Sequence, residues 1–106
     1  MSGTDPGAAA LPWPLTLARP VEVVGQPTSA IVLREPIGGD IAEAGYPVSF
    51  LPGGEIKIDG RVMVRMIARL AGWPETAVRA MTAGDVNACI EHVTDFFMRG
   101  ASPASS

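Results

Sequence analysis

Residues 59–72 read Asp-Gly-Arg-Val-Met-Val-Arg-Met-Ile-Ala-Arg-Leu-Ala-Gly, and the fold is decided here. Asp59 is suited to cap a helix, because its carboxylate can take up amides that the first turn leaves unpaired. Gly72 ends the run where a left-handed cap needs a residue without Cβ. The spacing predicts a helix over Arg61 to Ala71. Val62, Met63, Met66, Ile67 and Leu70 recur three and four apart and give it one apolar face, while Arg61, Arg65 and Arg69 form a stripe on the other side.

Toward the C-terminus, Pro74 stands where a first helical turn tolerates it, and opens a short helix from Glu75 to Met81. Thr82, with Asp85 three residues on, resembles a capping box in which Asp replaces the usual Glu or Gln. It starts a longer helix through about Met98, with Val86, Cys89, Ile90, Val93, Phe96 and Phe97 as its core face. Toward the N-terminus, Leu15, Leu17, Val21, Val23 and Val24 form an imperfectly alternating run. Gly25-Gln26-Pro27-Thr28 then supplies turn chemistry before Ile31-Val32-Leu33-Arg34, which predicts a β-hairpin. Pro20 lacks an N–H, so the first strand is an edge, bulged, or broken there. Pro36, Gly38 and Gly39 end the second strand, and Asp40 is expected to cap a helix of little more than one turn that stops at Gly45. Tyr46 to Gly54, with two prolines and two glycines around Val48, Phe50 and Leu51, is expected to be a connecting loop. The expected fold class is α+β, an N-terminal β-hairpin followed by a C-terminal bundle of about three short helices.

At 106 residues the chain fits one domain, expected over residues 13–98 with Gly-, Ala-, Ser- and Pro-rich disordered tails at 1–12 and 99–106. Hydrophobic residues make up 47%, enough for a folded core. A net charge of -3 works against general attraction to phosphate backbones, so nucleic acid is not the expected partner. The single cysteine, Cys89, forms no internal disulfide. With no secretory leader and no apolar run of membrane-spanning length, the expected address is the cytoplasm, with no membrane partner.

Candidate chemistry is sparse, and the bland reading is the stronger one for each candidate. Cys89 and His92, at i and i+3 on one helix, tempt as a nucleophile and base. The thiol nevertheless belongs to the apolar stripe, and the pair supplies only two of the four ligands of a structural zinc site. Gly38-Gly39-Asp40 lies where phosphate loops occur, but an acidic residue repels the anion and no longer glycine motif follows. Glu91 and Asp95, four apart, read as a solvated face. Catalytic residues, metal ligands and cofactors are therefore expected to be none, and the chain is read as a binding protein rather than an enzyme. The stripe of Arg61, Arg65 and Arg69 is an ordinary helix face or the footprint of an acidic or nucleic-acid partner.

The segments Leu15-Thr-Leu17 with Pro20, Ile31-Val-Leu-Arg-Glu-Pro36, Gly38-Gly39-Asp40, Ile67-Ala-Arg-Leu-Ala-Gly-Trp-Pro74, Ala83-Gly-Asp85 and Phe96-Phe97 add a resemblance, carried by their order and spacing. Over roughly residues 15 to 97 the chain resembles the small tail assembly chaperones of tailed bacteriophages, a family with Mu-like and P2-like representatives. The resemblance implies a protein of the bacterial host cytoplasm, needed to build a tail and absent from the mature particle. Its implied partner is the tape measure protein, kept soluble until tail tube protein polymerises around it. The family often adds a longer frameshifted product. It supplies no transferable binding motif, so the candidate partner-binding residues come from the surplus of helical apolar surface: Met63, Met66, Ile67, Leu70 and Trp73, with Val93, Phe96 and Phe97. Such a surplus also suits burial against a second copy, a homo-oligomer. Two other readings use different features: a regulatory or nucleic-acid-binding module built on the arginine stripe, and a structural tail component.

Overall fold

The structure, a computed structural model, describes residues 13–100. Its elements in chain order are β1 (Trp13–Val23), β2 (Gln26–Leu33), α1 (Gly38–Ala44), β3 (Val48–Phe50), β4 (Ile56–Ile58), α2 (Gly60–Ala71), α3 (Glu75–Arg79) and α4 (Ala83–Gly100). The expected α+β architecture of an N-terminal hairpin followed by helices is present. The tails expected at 1–12 and from 101 onward lie outside the described residues, and residues 99 and 100 continue α4 instead of beginning a tail.

β1 and β2 pair antiparallel, with Trp13 opposite Leu33 and Val23 opposite Gln26. The turn is tighter than the sequence suggests. It consists of Val24 and Gly25 alone, both at positive φ (51° and 78°), and Gln26, Pro27 and Thr28 already belong to β2. Two residues at positive φ make the hairpin turn whose twist matches that of paired strands, and Gly25 takes its position without cost. Val24, β-branched, does not.

Of the three outcomes expected at Pro20, the structure shows the bulge. From Thr16 to Val21 β1 advances five residues while β2 advances two, from Ala30 to Thr28, so β1 bulges where proline cannot donate. The bulge strands the N–H of Ala18, which donates to both carboxylate oxygens of Asp85, at 3.1 and 2.9 Å. The start of α4 is thereby tied to β1. Thr82 caps α4 as expected, accepting from the Asp85 amide at 3.1 Å. The Asp85 carboxylate, however, is spent on the distant strand.

α2 follows its sequence signals closely. Asp59 accepts from the amides of Arg61 and Val62, and Gly72 closes the helix in the left-handed conformation. Met63, Met66, Ile67, Ala68 and Leu70 are all buried. The core joins them to Leu17, Val21, Ile31 and Leu33 of the first hairpin, Val78 of α3, and Cys89, Val93 and Phe97 of α4.

Two further sequence expectations are corrected. Ile37, not Asp40, holds the N-cap position of α1, and Asp40 is its third residue, reaching back to accept the Ile37 amide at 2.9 Å. Asp40 is fully buried because it also receives Arg34 (2.7 and 2.8 Å) and Arg69 (3.0 Å). The paired Arg34 guanidinium, helped by the Ile37 amide and Arg69, holds the Asp40 carboxyl well below the usual carboxylate range despite its burial. The segment expected to be a loop from Tyr46 to Gly54 contains β3 and begins a second hairpin. Val48 pairs with Ile58 and Phe50 with Ile56 around a turn at residues 52–54, closed by hydrogen bonds between Leu51 and Glu55 and between Gly54 and Leu51. Gly54 sits at φ 90°, so the glycines that suggested a loop serve a turn between two three-residue strands.

Candidate functional site

Six of the eight apolar candidates lie in the core. Met63, Met66 and Ile67 are wholly buried, and Leu70, Val93 and Phe97 nearly so. Their spacing reports the seam between α2, α4 and the first hairpin. Trp73 and Phe96 are half-buried at the edge of that core. Phe96 borders a small apolar crevice with Leu33, Pro36, Leu70 and Val93, while Trp73 follows the α2 cap.

Exposed apolar side chains lie elsewhere: Val24, Val32 and Ile37 are scattered over the first hairpin and the start of α1, and a cluster lies on the second hairpin and α4. Side chains of a strand alternate between faces, so Val48 and Phe50 share one face, and the register puts Ile56 and Ile58 on it too. Val48 is buried and anchors the base of this face. Phe50 is 51% exposed and Ile56 and Ile58 39% each, although all three are large and apolar. Ser49 and Lys57 occupy the opposite face. Ile58 also borders a shallow depression with Ile90, Glu91, Thr94, Asp95 and Met98 of α4, where Met98 is 38% exposed. The result is a continuous apolar strip, Phe50, Ile56, Ile58, Ile90 and Met98, with the carboxylates of Glu91 and Asp95 on its α4 rim. Alternation in Val48-Ser-Phe50 and Ile56-Lys-Ile58 around Pro52-Gly53-Gly54 is the sequence signal for this strip. Each strand is too short for periodicity alone to separate it from loop.

The arginine stripe divides. Arg69 leaves it to bind Asp40, and Arg65 donates to the Ala44 carbonyl that ends α1, at 3.4 Å. Arg61 and Arg65 face a depression between α2 and α3, where Val64, Glu75 and Arg79 complete the lining. Arg79 comes from α3 and pairs loosely with Glu75 at 3.5 Å.

Cys89 is buried, and desolvation, with the Asp85 charge added, pushes its thiol up to about 12. It is protonated at neutral pH, the wrong form for a nucleophile or a metal ligand. The His92 ring stacks on Trp13, centroids 4.2 Å apart and planes within 12°. Among the described residues no group of three or more His, Cys, Asp or Glu is placed to hold a metal ion, and no helix is long and apolar enough to cross a membrane. Gly38 and Gly39 form the first turn of α1 ahead of the buried Asp40, whose charge is already matched by two arginines.

The family described as phage tail assembly chaperone proteins, E, or 41 or 14, matches residues 15–98 of the chain. Comparison with curated proteins and with solved structures finds no match. The matched span runs from β1 to the outer end of α4 and takes in the whole core, both hairpins and both depressions. The chain belongs to the phage tail assembly chaperone family.

Proposed function

We propose that this phage tail assembly chaperone binds an apolar segment of the tape measure protein and keeps it soluble until tail tube protein polymerises around it. The observation that carries this reading is the strip of exposed Phe50, Ile56, Ile58 and Met98, continued by half-buried Ile90, beside an enclosed core. A contiguous apolar surface rimmed by carboxylates suits a protein partner. The apolar face of an amphipathic client helix fits between the short hairpin and α4, and the Met98 thioether adapts to varied side chains. Flanking lysines or arginines on the client would meet Glu91. A strip built from so few side chains grips modestly, and a modest grip lets the tube protein displace the chaperone.

The buried candidates enter this function by holding the strip's foundations. Phe97 packs edge-on against Tyr46, ring centroids 5.2 Å apart, at the entry to the second hairpin, and Met66 fills the core. Truncating Met66 to Ala is expected to cost about 2–5 kcal/mol of stability, so any binding loss there would follow from unfolding.

The test is co-expression with the tape measure protein, scoring whether that client stays soluble and co-purifies. Dependence of client solubility on the chain, lost in the Phe50→Ser and Ile56→Ser double variant at an unchanged melting temperature, is the expected result. A client that aggregates regardless, or one rescued equally by the double variant, refutes the assignment. A self-associating chain that becomes monomeric in the same variant would instead assign the strip to a second copy.

A further inference from the structure

We propose that the depression between α2 and α3 is a docking site for an acidic segment of a partner protein, one that presents carboxylates about one helical turn apart. This inference does not depend on what the apolar strip holds. The chain is acidic overall, with 8 Lys and Arg against 11 Asp and Glu, yet three of its arginines converge on one concavity. Arg61 and Arg65 lie one turn apart on α2 and Arg79 faces them from α3. All three are exposed. The remaining charge in the lining is Glu75, held by Arg79 at 3.5 Å, an exposed pair of the kind that adds little and is readily exchanged.

Folding accounts for only part of this arrangement, through the long hydrogen bond from Arg65 to the Ala44 carbonyl. Arg34 and Arg69 show what a structural arginine does here, since both are committed to the buried Asp40 carboxylate. Arg61 and Arg65 have no carboxylate partner among the described residues. Arg61 also stands in the first turn of α2, where the helix dipole disfavours a cation. A guanidinium offers planar, two-pronged hydrogen bonding that matches a carboxylate, and a pair one turn apart matches carboxylates at i and i+4 of an acidic helix. A nucleic-acid strand fits less well: the lining has no aromatic ring on which a base can stack, and three arginines offset by Glu75 neutralise few phosphates of a long backbone.

Fluorescence anisotropy of the full chain with a labelled peptide carrying Glu at i and i+4 on an Ala-rich helix tests the proposal. The same peptide with Gln for Glu, and labelled single-stranded and duplex oligonucleotides, serve as comparisons. The expected result is saturable binding of the Glu peptide that weakens with salt, and no binding of the Gln peptide. Affinity should fall about tenfold or more in the Arg61→Gln, Arg79→Gln double variant while the melting temperature holds. Arg19→Gln, on β1 and outside the lining, should leave it unchanged. The proposal is overturned if the Glu peptide does not saturate, if the double variant binds as well as the parent, if Arg19→Gln weakens binding equally, or if an oligonucleotide binds more tightly than the peptide.

Discussion

The molecule contains two antiparallel hairpins of the same local design and opposite fate. In the first, β1–β2, one face is built into the core through Leu17, Val21, Ile31 and Leu33, and its bulge is tied to α4 by Asp85. In the second, β3–β4, only Val48 is buried, and Phe50, Ile56 and Ile58 continue the same face into solvent. An apolar strand face is therefore not in itself a core. It becomes one where helices lie against it, and where they do not it remains a surface able to dock a partner.

The largest expected difference between the two comes from matched truncations. Ile31→Ala in the first hairpin should cost about 2–5 kcal/mol, the range for a fully buried side chain, while Ile56→Ala in the second should cost under about 1 kcal/mol. Urea titration of the two variants measures both, and equal losses would show that the second hairpin is as much core as the first.

Next in size is the Asp40 cluster, which joins the end of β2 through Arg34 to α2 through Arg69. Asp40→Asn is expected to destabilise by about 2–3 kcal/mol, toward the low end for a broken buried pair because the stranded arginines reach solvent. The folded carboxyl titrates well below its ordinary range, so its contribution is complete above that range and is lost as the pH falls through and below it. Denaturation midpoints should thus drop between pH 5 and about pH 2 more steeply in the parent than in Asp40→Asn. Parallel curves would remove Asp40 as a source of the acid sensitivity.

Asp85→Asn weakens the link between the first hairpin and α4. Replacing a charged acceptor of the Ala18 amide by a neutral one should cost about 1–2 kcal/mol and speed hydrogen exchange at the Ala18 amide before the rest of β1. Uniform exchange along β1 would mean that the bulge is held by packing alone. The smallest effect has the opposite sign. Val24 is 82% exposed at φ 51°, so it contributes strain and no packing, and Val24→Asn should raise stability by about 0.5–1 kcal/mol in thermal melts.

Much of this architecture is legible in the chain. Asp59 and Gly72 bracket α2 within a residue of its observed ends, Thr82 opens α4, and Pro20 marks the bulge, because caps and proline act within a few bonds of themselves. The turn of the first hairpin misleads, since Gly25-Gln26-Pro27-Thr28 has turn composition while β2 in fact starts at Gln26. The second hairpin is hidden for a related reason. Its strands are three residues long, and three residues carry no reliable period.

The exposed site was less legible than the core. Met63, Met66 and Ile67 share one helix face, and sequence spacing says that such a face is apolar without saying what covers it. Covering is a property of elements far apart in the chain, here the first hairpin and α4 laid over α2. In the same way Arg61, Arg65 and Arg69 look equivalent on one stripe, yet Asp40, 29 residues from Arg69, withdraws one of them, and Arg79 from α3 takes its place beside the other two. The sequence by itself determined the α+β class, most helix ends, an irregularity of β1 at Pro20 and the family, all of which depend on local chemistry or on order along the chain. Only the tertiary structure decided which apolar face is buried and which arginines stay available, because both depend on long-range contacts that compete for the same side chains.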